Sequence, residues 1–130
     1  MIDTTATVFM RRLTLTIACC AAAVALSSGN AAASRASVKC AIPGNGENLG
    51  PTYLNALSVT GTTCTTGLAV VRTYHDCQLQ RGGVKATCSS PVDGFRCVET
   101  RGPSIPTEFY STVSCSDHAK RVHYKYSQFT

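Results

Sequence analysis

Four nitrogen-bearing side chains, Arg96, Arg121, His123 and Lys125, recur among hydroxyl-bearing residues in the last third of the chain. Arg121, His123 and Lys125 stand two residues apart, so an extended strand places all three on one face. The neighbours expected beside them are Tyr110, Thr112 and Ser114, with no Asp or Glu in the set. A flat face of this kind can hold phosphates, an anionic wall polymer or a nucleic-acid backbone by charge and hydrogen bonding. The plainer account is a sheet face that is simply wet, as one side of an antiparallel sheet commonly is.

Two other constellations have the right residue types. His75, His118 and His123 with Glu99, Arg101 and Lys120 contain the acid, base and phosphate-stabilising groups of a nuclease. His75 falls in a helical pattern and His118 in a turn, however, and no spacing draws them together. Cys115-Ser116-Asp117-His118 followed by His123 superficially resembles metal-ligand spacing. Strand alternation sends Cys115 inward and His123 outward, and the thiol of an exported protein is normally oxidised. A Cys nucleophile needs a free thiol, which an even set of cysteines does not leave. There is no Gly-rich phosphate loop, Ser-centred elbow, paired-carboxylate site or internal repeat. Thr60 to Thr66 reads as turn and capping chemistry. The sequence therefore assigns no catalytic residue, metal or cofactor, and points to an anionic polymer or phosphate-bearing ligand as partner, with nucleic acid as one form of it. A small secreted hydrolase, a nuclease before any other, is the alternative.

The compartment is legible at the N-terminus. Met1 to Arg12 is polar and ends in Arg11-Arg12, Leu13 to Leu26 is uncharged and apolar, and Ser27 to Ala33 closes in Ala31-Ala32-Ala33. These are the three regions of a secretory signal peptide over residues 1–33, cleaved near Ala33 with Ala36 as second choice. The apolar run of 14 residues falls short of the roughly 20 that span a bilayer. No later segment comes close, so the mature chain has no expected membrane span. Met10, just before Arg11-Arg12, is a candidate true start. Cys19 or Cys20 as a lipid attachment site is disfavoured, because no Leu stands at the required place and the apolar run continues past them. Losing Asp3, Arg11 and Arg12 with the leader leaves ten basic against six acidic residues, a balance of +4.

The chain of 130 residues and 13.7 kDa allows one domain, and eight Cys with no Trp describe a small scaffold closed by cross-links. Cys40, Cys64, Cys77, Cys88, Cys97 and Cys115 remain after cleavage, and three disulfides are the expectation. Residues 34–52, rich in Gly, Pro and Asn, read as an N-terminal arm or loop, and residues 53–130 as the folded domain.

Within that domain Tyr53, Leu57 and Val59 alternate along a short strand. Thr63 is an acceptable N-cap for a helix from Cys64 to about Asp76, whose stripe is Cys64, Gly67, Leu68, Val70, Val71, Tyr74 and His75. Its β-branched residues and Gly67 argue for a strand instead. Gly82-Gly83 suits a two-residue hairpin turn that sets Cys77 opposite Cys88. Phe95 and Cys97 share one strand face, and Pro103 to Pro106 reads as a connection. The clearest signal flanks Asp117 to Lys120: a four-residue turn there opposes Cys115 to Val122, Val113 to Tyr124 and Ser111 to Tyr126 on one face, and Ser114 to His123 and Thr112 to Lys125 on the other.

These elements assemble into an α+β fold in which one helix lies across a small three- or four-stranded antiparallel sheet, cross-linked by disulfides. Cys64 then lies near Cys97 and Cys115, one of which would bridge to it and the other to Cys40. Thr63-Cys64 leading to Val70-Val71-Arg72, Gly94-Phe95-Arg96-Cys97, and Val113-Ser114-Cys115 with Val122 to Gln128 resemble small exported cysteine-rich proteins of actinobacteria. The resemblance spans about Leu57 to Thr130. That group has no assigned activity, so it implies an exported disulfide-bonded domain and no catalytic residue.

Overall fold

A computed structural model of the protein describes residues 35–46 and 49–130. The expected leader over residues 1–33, with Met10, Cys19, Cys20 and the cleavage point near Ala33, lies outside the described residues. In chain order the elements are β1 (Val38–Lys39), a 3-10 turn (Pro43–Gly46), β2 (Tyr53–Thr60), α1 (Cys64–Gln80), β3 (Arg96–Ile105), β4 (Glu108–Asp117) and β5 (Lys120–Phe129). The strands form one antiparallel sheet in the order β1-β2-β5-β4-β3. The fold is α+β as expected, but the sheet has five strands, not three or four. The extra strand is β1, supplied by the segment read as an arm, where Val38 pairs with Val59 and Lys39 with Ser58.

β4 and β5 pair in the register that alternation dictates, from Glu108 opposite Phe129 to Asp117 opposite Lys120. Val113, Cys115, Val122, Tyr124 and Tyr126 are buried on the inward face. α1 covers that face with Val70, Val71, Tyr74 and Gln78, all buried. Tyr74 meets Tyr124 edge to face at 6.4 Å, a geometry that aromatic quadrupoles favour. Each large apolar side chain buried here contributes about 1.5–3 kcal/mol. That is why a helix carrying Val70, Val71 and Gly67 forms against its weak local propensity. Its start is held by Thr63, whose hydroxyl accepts from the Thr66 N–H at 3.1 Å.

Several sequence expectations are corrected. α1 continues one turn past Asp76 to Gln80. Gly82 and Gly83, both at positive φ, end that helix and do not turn a hairpin; the Gly83 N–H donates to the Gln78 carbonyl. Pro103 lies within β3, which runs to Ile105 with a bulge between Arg101 and Ser104. In β2 a bulge between Leu54 and Ala56 breaks the alternation. Leu54, Leu57 and Val59 therefore point inward while Tyr53 is exposed.

All six described cysteines are paired. Cys77 joins Cys88, as expected, although the link runs from the last turns of a helix to the loop beyond it. Cys40 joins Cys64 and Cys97 joins Cys115. This overturns the expectation that Cys97 or Cys115 reaches Cys64. Cys97 and Cys115 are direct cross-strand partners with Cα atoms 4.0 Å apart, so register alone brings them together.

Candidate functional site

The outer face of the sheet, opposite α1, is built by the residues that alternate with the core. The register sets them in transverse rows. Thr60, Arg121, Ser116 and Arg96 form one row, and Lys39, Ser58, His123, Ser114 and Val98 the next. Ala56, Lys125, Thr112 and Thr100 form the third. Arg96, Arg121, His123 and Lys125, the four residues singled out from the sequence, are exposed on this one face, and Lys39 joins them from β1. Lys39 was not legible as a member, because its place depends on a two-residue strand contributed by a Gly- and Pro-rich segment.

The Ser114 hydroxyl lies 3.0 Å from His123 Nδ1, and the Ser58 hydroxyl donates to the His123 carbonyl at 3.5 Å. Ser114 thereby orients the imidazole, while Ser58 holds the backbone of the same residue. A depression of about 380 Å³ lies here, lined by Arg96, Val98, Ser114, Ser116, Arg121 and His123. None of those side chains is acidic. Among the described residues, carboxylates come near this face only at its ends. Asp117 is the last residue of β4, where hydrogen bonds from His118 and Lys120 hold its pKa below the usual range, and Glu108 is at the opposite end, paired with Phe129. Guanidinium, ammonium and imidazole groups held at strand spacing with hydroxyls between them can take successive anionic groups of a polymer by charge and hydrogen bonding.

The inner face holds a second polar cluster. Glu99 lies on the same side of β3 as Cys97, and its side chain is 1% exposed. Its carboxylate accepts from Ser111 Oγ at 2.6 Å, Tyr126 OH at 2.8 Å, Tyr74 OH at 3.0 Å, and Gln78 Nε2 and Arg101 Nε at 3.2 Å. Burial alone would raise its pKa. The hydrogen bonds from Ser111, Tyr126 and Arg101, with the charge of Arg101, outweigh burial and hold it below the ordinary value. The same burial drives the Tyr74 and Tyr126 phenols far above theirs, with the Glu99 charge adding to it. This cluster is an internal brace. α1 supplies Tyr74 and Gln78 one turn apart, and three strands supply the rest. Its signal in the sequence was a single acid two residues beyond Cys97, on the face that must turn inward.

The nuclease constellation is not assembled. Glu99 and Arg101 are paired, but Glu99 is sealed. His75 is buried against Gly50 in a different hollow, lined by Leu49, Pro51, Arg72, Asp76 and Leu79, and desolvation lowers its pKa. His118 is exposed in the turn on Asp117, and His123 is on the outer face. The Cys115 sulfur is bonded to Cys97, which removes it from the metal-ligand pattern. Among the described residues no three His, Cys, Asp or Glu side chains converge as a metal site, and no helix is long and apolar enough to cross a membrane.

Comparison with protein-family models, with curated proteins and with solved structures finds no match to this chain. Its function must be argued from its own surface.

Proposed function

We propose that the protein is an exported, non-catalytic binding module of the cell envelope or its surroundings, and that the outer sheet face holds an anionic, phosphate-bearing polymer. The observation that carries this reading is the grouping of Arg96, Arg121, His123, Lys125 and Lys39 on one exposed face, with Arg96, Arg121 and His123 lining a depression that has no acidic side chain. Three disulfides point to an oxidising, extracytoplasmic environment, and the signal-peptide pattern and the resemblance to exported actinobacterial proteins agree with it. Steering by the net positive charge favours anionic partners.

The test is retention on heparin resin. Arg121 and Lys125 are exposed and alternate with core positions, so Arg121→Glu with Lys125→Glu reverses the charge without touching packing. The doubly changed protein should keep its fold and elute at markedly lower salt than the parent. Unchanged retention overturns the reading.

A further inference from the structure

The outer face is not uniformly basic. Beyond Lys125 its next row is Tyr53, Ser127 and Tyr110, and beyond that Phe129 stands opposite Glu108. Tyr53, Tyr110 and Phe129 are each about half exposed, at 47%, 47% and 50%. Tyr53 and Phe129 meet edge to face with centroids 5.6 Å apart, which fixes both rings and leaves ring area open to solvent. Tyr53 and Tyr110 flank Ser127 from either side, two strands or roughly 9–10 Å apart. The Ser127 hydroxyl accepts from Asn55 Nδ2 at 2.8 Å, so the floor between the rings is closed. One continuous surface along β5 therefore passes from a nitrogen-rich end at Arg121, His123 and Lys125 to an aromatic end at Tyr53, Tyr110 and Phe129.

From this juxtaposition we infer that the polymer held by the outer face is single-stranded nucleic acid, its phosphates over Arg121, His123 and Lys125 of β5 and its bases stacked on Tyr53 and Tyr110. The inference rests on the anionic-polymer reading and goes one step further. Arg121 and Lys125 with His123 between them, successive side chains about 6.8 Å apart along β5, offer charge or a ring nitrogen to the successive anionic groups of a repeating chain. The aromatic end calls for a flat, uncharged ring in the same chain. Glu108 beside Phe129 repels a phosphate there, so that end takes the uncharged part of the repeat. A polyol phosphate has no ring to stack, a sugar packs on tyrosine through its C–H face without the planar stacking a base provides, and a duplex keeps its base faces inside. A cationic track with exposed aromatic platforms is the general means by which proteins hold single strands without reading sequence.

The experiment measures fluorescence anisotropy of three labelled probes on the disulfide-intact protein: oligothymidylate of about twelve nucleotides, an abasic deoxyribose-phosphate strand of the same length, and heparin. The thymidylate strand should bind at least about fivefold tighter than the abasic strand, the smallest gain expected for one stacked base. Tyr53→Ala with Tyr110→Ala should lose that advantage while heparin binding stays at the parent level. Arg121→Glu with Lys125→Glu should lose all three probes. Tyr53→Leu with Tyr110→Leu repeats the test with strand-compatible side chains, and should show the same loss if stacking and not sheet integrity is at work. Equal affinity for thymidylate and abasic strands, or tyrosine variants that bind thymidylate as the parent does, overturns the nucleic-acid assignment and leaves the anionic-polymer reading standing. Heparin binding without any thymidylate binding assigns the face to a polysaccharide. Failure of all probes to bind overturns both.

Discussion

Glu99 is the residue on which the interior depends most. A carboxylate has two oxygens, and here both accept, one from Ser111, Tyr126 and Arg101 and the other from Tyr74 and Gln78. Glu99→Gln keeps the shape but turns one oxygen into an N–H donor facing other donors, and removes the charge that pairs with Arg101. The expected loss is about 2–4 kcal/mol, measured as a fall in the urea midpoint. The pH dependence has a fixed sign. Glu99 titrates lower when folded than unfolded, so its contribution is fully present above the unfolded carboxylate range and is lost as pH falls through the depressed folded value. Stability of the parent should therefore drop with acid in that window, and Glu99→Gln should flatten the drop. A variant whose urea midpoint falls with acid as steeply as the parent's would show that Glu99 is not the group responsible.

At the scale of elements, the contact of α1 with the sheet is set by Gly67. A Cβ at that position would come 2.8 Å from Val59 Cγ1, and Val59 is itself buried in the sheet. Gly67→Ala gains up to about 1 kcal/mol of helix propensity but must push α1 off β2 at a cost of about 1–3 kcal/mol for overpacking. The net effect should be destabilising, and a lowered melting temperature checks it. The sequence showed Gly67 only as a weak point in a helix, because the close approach that makes it necessary belongs to β2. The same division runs through the rest of the fold. The β4–β5 hairpin was legible to the residue because alternation and turn agree, and Arg121, His123 and Lys125 of the outer face came with it. The β2 bulge was not, since one unpaired residue shifts Leu54 inward with no local signal. β1 was hidden by the composition around it, and with β1 went Lys39 and the partner of Cys64. Of the aromatic end of the outer face Tyr110 was legible beside the basic residues, whereas Tyr53 looked like core until the bulge turned it out.

For the whole molecule the question is what keeps so thin an assembly folded. One helix on one sheet buries a single layer, and the outer face contributes almost nothing apolar to it. The three disulfides divide the work: Cys40–Cys64 ties the edge strand to the start of α1, Cys77–Cys88 ties its end to the following loop, and Cys97–Cys115 crosses β3 and β4. They close 24, 11 and 18 residues of sequence, and each contributes roughly 3 kcal/mol by restricting the unfolded chain. Together they match the net stability of about 5–15 kcal/mol typical of a whole domain. They are not equivalent in the folded state. β1 pairs with β2 at only two positions, with the Cys40 N–H to the Leu57 carbonyl at 2.9 Å as its continuation, so little else holds it. Replacing Cys40 and Cys64 by Ser should let β1 detach, with the Cys40 amide exchanging hydrogen freely while the β4–β5 amides keep their order of protection. Reduction of all three should unfold the domain, with loss of near-UV circular dichroism from the buried tyrosines. A reduced protein that holds this sheet with six titratable thiols would show that the core, and not the cross-links, carries the fold.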